Sequence, residues 1–118
     1  MRILVYGSRS YSNSANFTTK ISAVHVATPA EIMVDGGCRP TDVLARQWAV
    51  KNGVPTISLN SYLSGSFGAA GAAHNSAMLR LGNPGTVVIF GDPTQDGEVA
   101  DMIQRCKDLK LTYTQQTT

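Results

Sequence analysis

Short apolar runs alternate with helical patterns along the whole chain, and this alternation limits the folds open to it. Five runs predict strands, at residues 2–6, 31–34, 55–59, 86–90 and 111–113. Between them, apolar residues at helical spacing predict helices over 15–27, 41–52 and 69–81, and a fourth from Val99 to Leu109. Such alternation is typical of a parallel sheet covered by helices on both faces. We therefore expect an α/β fold with about five strands, in one domain over residues 1–118.

The composition excludes several classes of protein. The net charge is only +2 and no run of Lys or Arg occurs, so no nucleic-acid partner is expected. No stretch approaches the roughly 20 apolar residues of a membrane span, so no membrane partner is expected. The two cysteines, Cys38 and Cys106, predict neither a disulfide framework nor a metal site. The chain starts on a strand-like run without a signal peptide, and we expect it in the cytoplasm, that of the host if the gene is viral.

Four local features make further predictions. Trp48 is expected in the core or at its boundary, and His25 at the surface or a boundary rather than on a metal. The helix over 69–81 is expected to pack through Ala73, Ala77, Met78 and Leu81. Residues 115–118 are expected to form a frayed tail.

A glycine pair follows the second predicted strand. Gly36 and Gly37 lack a Cβ, so the backbone there turns sharply and can approach a ligand closely. The next helix, with Pro40 in its first turn, would aim free N–H groups at the loop and favour an anion. The alternative is an ordinary strand-to-helix turn.

Three further loops carry small and hydrogen-bonding residues after predicted strands. They are Gly7-Ser8-Arg9, the 60–68 loop and Gly91-Asp92-Pro93-Thr94. Ligands of open α/β sheets bind beyond the carboxyl ends of the strands, so these loops and the glycine loop predict one shared site. Arg9 either meets a phosphate or carboxylate or lies in a solvated turn, and Tyr62 or Phe67 either covers a ligand's base or anchors its own loop. The GxGxxG fingerprint is absent, which argues against a dinucleotide dehydrogenase.

The ordered set of motifs resembles the SLOG superfamily, which groups the Smf/DprA proteins with the Lonely Guy enzymes. The set comprises Gly7-Ser8-Arg9, residues 35–45 (DGGCRPTDVLA), Ala69-Ala70-Gly71 with residues 74–78 (HNSAM), and Gly97 with Asp101-Met102. The likeness covers nearly the full length and is closest to the small stand-alone prokaryotic and phage branch. It implies a Rossmann-like fold that binds nucleotides or molecules derived from them.

The resemblance also implies the site residues. Those expected to bind the ligand are Gly7, Ser8, Arg9, Gly36, Gly37, Cys38, Arg39, Thr41, Asp42, His74, Asn75, Asp92 and Thr94. Arg9 and Arg39 would meet phosphates, the loop glycines would supply N–H groups, and Asn75 and Asp92 would bind hydroxyls or a base edge. No metal and no cofactor is implied.

Lonely Guy enzymes hydrolyse the N-glycosidic bond of nucleoside monophosphates, and this chain departs from their pattern. His74 stands where the catalytic arginine would be, and Asn75 where the next basic residue would be. The loop at 91–97 lacks the Gly-Gly of those enzymes, and Ala100 and Asp101 replace the paired glutamates, which keeps one acid. Pro40 replaces a glycine common in the middle loop. The loss of a fixed cation argues against hydrolysis.

Three hypotheses follow. The leading one is a non-catalytic protein that senses or sequesters a small nucleotide-derived ligand, a cyclic nucleotide or an ADP-ribose-type signal, including as a phage counter-defence protein. The second is a Lonely Guy-like phosphoribohydrolase with Asp101 or Glu98 as its acid, although acidic residues there also suit a helix N-terminus. The third is an oligomeric interaction module with a vestigial pocket. The family likeness also predicts a homo-oligomer.

Overall fold

The fold is a parallel α/β sheet, and the computed structural model describes residues 1–60 and 71–118. All five strands of the described residues are parallel, in the order β3-β2-β1-β4-β5. The elements are β1 (Arg2–Gly7), α1 (Ser14–Ala27), β2 (Ile32–Asp35), α2 (Pro40–Asn52), β3 (Thr56–Ser58), α3 (Gly71–Gly82), β4 (Thr86–Phe90), α4 (Gly97–Asp108) and β5 (Thr112–Gln116). The predicted Rossmann-like architecture is confirmed. None of these helices is long and apolar enough to cross a bilayer.

Strand β1 is the centre of the sheet, and the strand order reverses beside it. Its residue Ile3 lies opposite Met33 of β2 on one side and Thr86 of β4 on the other. The chain first adds β2 and β3 to one flank of β1 and then crosses over to add β4 and β5 to the other flank. The carboxyl ends of β1 and β4 therefore flank the point where ligands of such sheets usually bind.

Alternate residues of β1 build two separate cores. Ile3 and Val5 belong to the core that includes Phe17 of α1 and Trp48 of α2. Leu4 and Tyr6 belong to the core formed with Met78 and Leu79 of α3 and with Val99, Met102, Ile103 and Cys106 of α4. Since successive side chains of a strand point to opposite faces, helices cover both sides of the sheet. Tyr6, the later of the two β1 residues in this second core, lies directly under the carboxyl edge of the sheet.

Trp48 and His25 lie where the sequence predicts them. Trp48 is 6% exposed, and its indole Nε1 donates to Ser22 Oγ of α1 at 3.1 Å. His25 is half-buried, its ring centroid lies 5.1 Å from that of Trp48, and its Nδ1 accepts the Ala30 N–H at 3.0 Å. Both residues fasten α1 to its neighbours.

The prediction of a frayed tail over 115–118 was wrong. Strand β5 continues to Gln116, which lies opposite Phe90 of β4. Beyond it, the Thr118 carbonyl accepts the Asn16 side-chain N–H at 2.7 Å and the Tyr11 hydroxyl at 3.3 Å. The tail has no apolar residue, and its order comes from strand pairing and from side-chain hydrogen bonds to its main chain, which composition does not reveal.

The predicted packing face of the third helix was partly wrong. Ala77 and Met78 are buried as expected, but Ala73 is exposed and Leu81 is 51% exposed. His74 and Asn75 are buried in their place, at 8% and 0% exposure. Each has a hydrogen-bonding partner from elsewhere in the fold, and these partners allow two polar side chains to face inward.

Candidate functional site

The four strands that precede the predicted loops end at one edge of the sheet. The residues at or next to these ends are Gly7 of β1, Asp35 of β2, Ser58 of β3 and Phe90 of β4, which precedes Gly91. In the 60–68 loop, residues 61–68, with Tyr62 and Phe67, lie outside the described residues. The loops after β1, β2 and β4 meet at this edge through direct contacts.

The glycine loop is filled by carboxylates of the chain itself. Asp42 in the first turn of α2 accepts the Gly36 N–H at 3.0 Å through Oδ1 and the Arg39 N–H at 2.9 Å through Oδ2. Asp35 Oδ1 accepts the Gly37 N–H at 2.8 Å. These donors were expected to face a ligand anion, but they serve buried Asp42 and Asp35 instead. Cys38, between them, is exposed.

Asp35 is held by further partners and lies at 0% exposure. Arg46 Nη1 donates to its Oδ1 at 2.9 Å, and Ser58 Oγ donates to its Oδ2 at 3.0 Å. Burial raises the pKa of the Asp35 carboxyl above its ordinary value, and the nearby charge of Asp42 acts in the same direction. The carboxylate thus joins β2, β3 and α2 beneath the glycine loop.

Arg39 lies inside the site rather than on its surface. Its side chain is 5% exposed, its Nη1 donates to the Gly7 carbonyl at 2.9 Å, and its Nη2 donates to Glu98 Oε2. Its Cζ lies 4.6 Å from the ring centroid of Tyr6, so the guanidinium packs on the aromatic face. Burial also raises the pKa of the Tyr6 hydroxyl strongly, against the opposing positive charge of Arg39. Arg39 therefore links β1, α2 and α4, and its partners are groups of the protein.

Arg9 is the exposed cation of this edge. Its side chain is 66% exposed, and its Nη2 lies 3.4 Å from Glu98 Oε1. Glu98, in the first turn of α4, is 31% exposed and thus contacts two arginines, one through each oxygen. We call the two arginines and the carboxylate that they share the Arg9–Arg39–Glu98 cluster.

His74 and Asn75 tie α3 to its neighbours. His74 Nε2 lies 2.5 Å from the Leu59 carbonyl oxygen, just after β3. The Asn75 amide donates to the Glu98 carbonyl at 3.1 Å and to Asp101 Oδ2 at 3.0 Å. His74 and Asn75, two of the predicted ligand-binding residues, therefore make structural hydrogen bonds within the protein.

Thr41 was also predicted to bind the ligand, and the structure places it against β1. It is 0% exposed, and a Cβ built on Gly7 would lie 2.4 Å from its Oγ1 and Cγ2. The closeness of this contact explains why residue 7 has no side chain. Thr41 Oγ1 has no hydrogen-bond partner among the residues that the structure describes.

The loop after β4 closes onto the loop after β1. Gly91 has φ of 117°, which favours glycine, and a Cβ there would lie 2.8 Å from Ser8 Oγ. In the same loop, Asp92 Oδ1 accepts the Thr94 N–H at 2.9 Å and the Thr94 hydroxyl at 2.7 Å. The Thr94 donors lower the pKa of Asp92, which stays ionised.

A cleft of about 310 Å³ opens between these two loops, and we call it the β1–β4 cleft. It is lined by hydroxyl, amide and carboxylate groups together with backbone: Ser8, Ser10, Tyr11, Ser12, Asn13, Gly91, Asp92, Gln95, Asp96, Thr117 and Thr118. Of the predicted ligand-binding residues, Ser8 and Asp92 line it. Arg9 lies between two lining residues in the chain.

A larger cleft of about 590 Å³ lies elsewhere, between the ends of α3 and α4, and its lining includes Arg80, Leu109 and Leu111. None of the predicted site residues lines it, and it is not at the carboxyl edge of the sheet. We therefore place the candidate site at the β1–β4 cleft. Across residues 1–60 and 71–118, no group of three or more His, Cys, Asp or Glu side chains could hold a metal ion.

The two carboxylates considered as catalytic acids are both paired with arginines. Glu98 contacts Arg9 and Arg39, and Asp101 Oδ2 accepts Arg105 Nε at 2.7 Å in addition to the Asn75 amide. Both carboxylates are therefore held in place by hydrogen bonds from side chains of the protein.

Sequence reasoning missed several groups of the site. Tyr6, under Arg39, was predicted only as part of the first strand, and neither Ser10 nor Gln95 was predicted to line the site. Asp35 was read as part of a turn. Two features of the sequence indicate a buried ion pair: the Asp35 carboxylate directly follows a predicted apolar strand, and Arg46 lies on the next helix.

One comparison with known proteins gives a match. Residues 1–61, just over half of the 118-residue chain, match the model of a family described as "YspA, cpYpsA-related SLOG family". The matched part contains β1, the glycine loop and α2, and therefore Arg9 and Arg39. No curated protein and no solved structure gives a match.

Proposed function

Because the chain belongs to the YspA, cpYpsA-related SLOG family, whose members are nucleotide-related Rossmann-like domains, we propose that it binds a small nucleotide-derived ligand without cleaving it. The ligand is a cyclic nucleotide or an ADP-ribose-type signal, which the protein senses or sequesters. A counter-defence role in a phage, a cytoplasmic location and a homo-oligomeric state belong to the same proposal.

The β1–β4 cleft is the observation that carries the proposal. Its volume of about 310 Å³ is at the lower end of small-molecule sites, about 300–1,000 Å³, and so suits a mononucleotide-sized group. Its hydroxyl, amide and carboxylate groups can hydrogen-bond ribose hydroxyls and base edges. Arg9 lies in the chain between the lining residues Ser8 and Ser10 and would supply a positive charge for a phosphate.

The partners of the acidic residues support binding without cleavage. Hydrolysis of an N-glycosidic bond needs a positioned acid or carboxylate and a fixed cation for the developing charge. Glu98 and Asp101 are both engaged by arginines, and His74 is engaged by the Leu59 carbonyl. These three groups therefore already have partners among the residues that the structure describes.

Thermal unfolding with a panel of AMP, cyclic AMP, ADP-ribose and cyclic ADP-ribose tests binding. A ligand at 100 times its Kd adds about 2.7 kcal/mol of stability, so a clear rise in Tm is expected for at least one of them. Gln95→Trp, which fills the cleft, should abolish the rise. Gln104→Trp, on the exposed side of α4 and outside the cleft, should preserve it. No rise with any compound would reject the proposal.

Chromatography of the same mixtures tests whether the ligand survives. Intact nucleotides are expected after long incubation with the wild-type protein. Release of free base, abolished by Asp101→Asn, would instead assign the protein as a phosphoribohydrolase.

Light scattering tests the predicted homo-oligomer. The expected mass is a multiple of 12.6 kDa. A single species of 12.6 kDa would remove this part of the proposal and leave ligand binding untouched.

A further inference from the structure

Glu98 is shared between two arginines that are held very differently. We propose that Glu98 is an internal competitor for the ligand's phosphate: in the free protein it occupies the face of Arg9 that a phosphate takes on binding. This inference rests on the proposed function, since it concerns how the same site selects its ligand. It assigns to Glu98 a role in affinity and selectivity rather than in chemistry.

Arg39 is the fixed member of the Arg9–Arg39–Glu98 cluster. It is 5% exposed and is held by the Gly7 carbonyl at 2.9 Å and by the face of the Tyr6 ring. A guanidinium removed from water requires an anion close by. The Arg39–Glu98 contact is therefore expected to persist when a ligand binds.

Arg9 is the exchangeable member. It is 66% exposed, and its contact with Glu98 is a single one at 3.4 Å. Exposed ion pairs of this kind are weak and screened by salt. A phosphate that reaches exposed Arg9 can therefore take it from Glu98 while Glu98 keeps Arg39.

The backbone N–H groups near the cluster already donate to carboxylates of the protein, so they offer an anion little alternative to Arg9. Asp42 and Asp35 accept the N–H groups of Gly36, Gly37 and Arg39, and Asp96 accepts those of Glu98 and Val99. The cluster carries a net charge of +1, from two guanidiniums and one carboxylate. A phosphate dianion gains more from that charge than a carboxylate does, so the arrangement favours phosphate-bearing ligands.

Glu98→Gln separates this role from a purely structural one. The substitution frees Arg9 and raises the cluster charge to +2, so phosphate should bind more tightly, by about two- to fivefold, the equivalent of a surface ion pair. It also removes the anion beside buried Arg39, so the Tm without ligand should fall. General damage would lower both stability and affinity, whereas this inference requires them to move in opposite directions.

The experiment measures the Kd of inorganic phosphate and of AMP by calorimetry for the wild-type protein, Glu98→Gln and Arg9→Ala. Asp108→Asn is the control, because it makes the same charge change at the other end of α4, outside the cluster. Tighter phosphate binding by Glu98→Gln, weaker binding by Arg9→Ala and an unchanged Kd for Asp108→Asn are expected. Unchanged or weaker phosphate binding by Glu98→Gln would overturn the inference.

The two probes separate this inference from the proposed function. If AMP binds the wild-type protein and Glu98→Gln alters neither Kd, the inference alone is wrong. If phosphate binding tightens but no compound of the nucleotide panel binds, the proposed function is wrong and the inference stands. Should Glu98→Gln fail to fold, Glu98→Asp replaces it. Its shorter side chain is expected to keep buried Arg39 and lose the 3.4 Å contact with Arg9, so the same tightening is expected and an unchanged Kd overturns the inference.

Discussion

Gly7→Ala is expected to destabilise the protein because the added methyl group has no room. An alanine Cβ would lie 2.4 Å from Cγ2 and Oγ1 of Thr41 and 2.9 Å from its Cβ. Carbon atoms in favourable contact lie about 3.5–4.0 Å apart, so β1 and the start of α2 would have to separate. Both are buried, and overpacking of this kind costs about 1–3 kcal/mol.

The Tm gives the measurement. Unfolding entropies of about 2.1 cal/mol/K per residue give about 0.25 kcal/mol/K for 118 residues, so a loss of about 2 kcal/mol lowers the Tm by about 8 °C. Gly97→Ala is the matched control: no atom lies within 4 Å of its added Cβ, and it begins α4. That variant should leave the Tm unchanged or raise it slightly, since alanine favours a helix.

A double-mutant cycle isolates the contact. Thr41→Ala removes both atoms that would lie at 2.4 Å, so it should restore part of the stability that Gly7→Ala loses. A Gly7→Ala protein that melts within about 2 °C of the wild type, or a double variant that regains nothing, would refute the steric reasoning. Residue 7 would then be a glycine for another reason, such as close approach by a ligand.

Three further predictions concern single groups. Thr41→Val should leave stability unchanged or raise it, because Thr41 Oγ1 is buried without a partner among the described residues; a clear loss in urea unfolding would reveal a hydrogen bond there. Burial raises the pKa of Asp35, so the folded state holds the carboxyl proton more tightly than the unfolded state does. The difference in unfolding free energy, wild type minus Asp35→Asn, should therefore fall as pH rises above about 3.8. A difference that does not change with pH would contradict the burial effect. A thiol reagent at pH 8 should label exposed Cys38 alone in the native protein, since burial raises the pKa of Cys106 to about 11; two rapid equivalents would contradict this, and unfolding should release the second.

The fold was predictable because its signal is local and repeated. Apolar runs such as 86–90 and the helical spacing of Val99, Met102, Ile103 and Cys106 mark buried elements without reference to the rest of the chain. Which face of α3 is buried was not predictable in this way. It depends on His74 and Asn75 finding acceptors at Leu59 and Glu98, which the sequence places far from that helix.

The meeting of the loops at one edge of the sheet was predictable, but the partners of the charged side chains there were not. Parallel strands bring their carboxyl ends together, so loops after β1, β2 and β4 had to meet. Whether Arg39 faces solvent depends on Glu98, 59 residues further along. One signal was readable: Asp42 stands three residues after Arg39, the spacing at which a carboxylate caps a helix and takes the free N–H groups of the loop.

Tyr6 fills the second core and also packs against the guanidinium of Arg39. These two roles limit which residues can replace it in the family. An aliphatic residue at position 6 would keep the core filled but leave the guanidinium face without its aromatic partner. Loss of Arg39 alone would leave the Gly7 carbonyl without its donor. We therefore expect Tyr6 and Arg39 to be exchanged together during divergence.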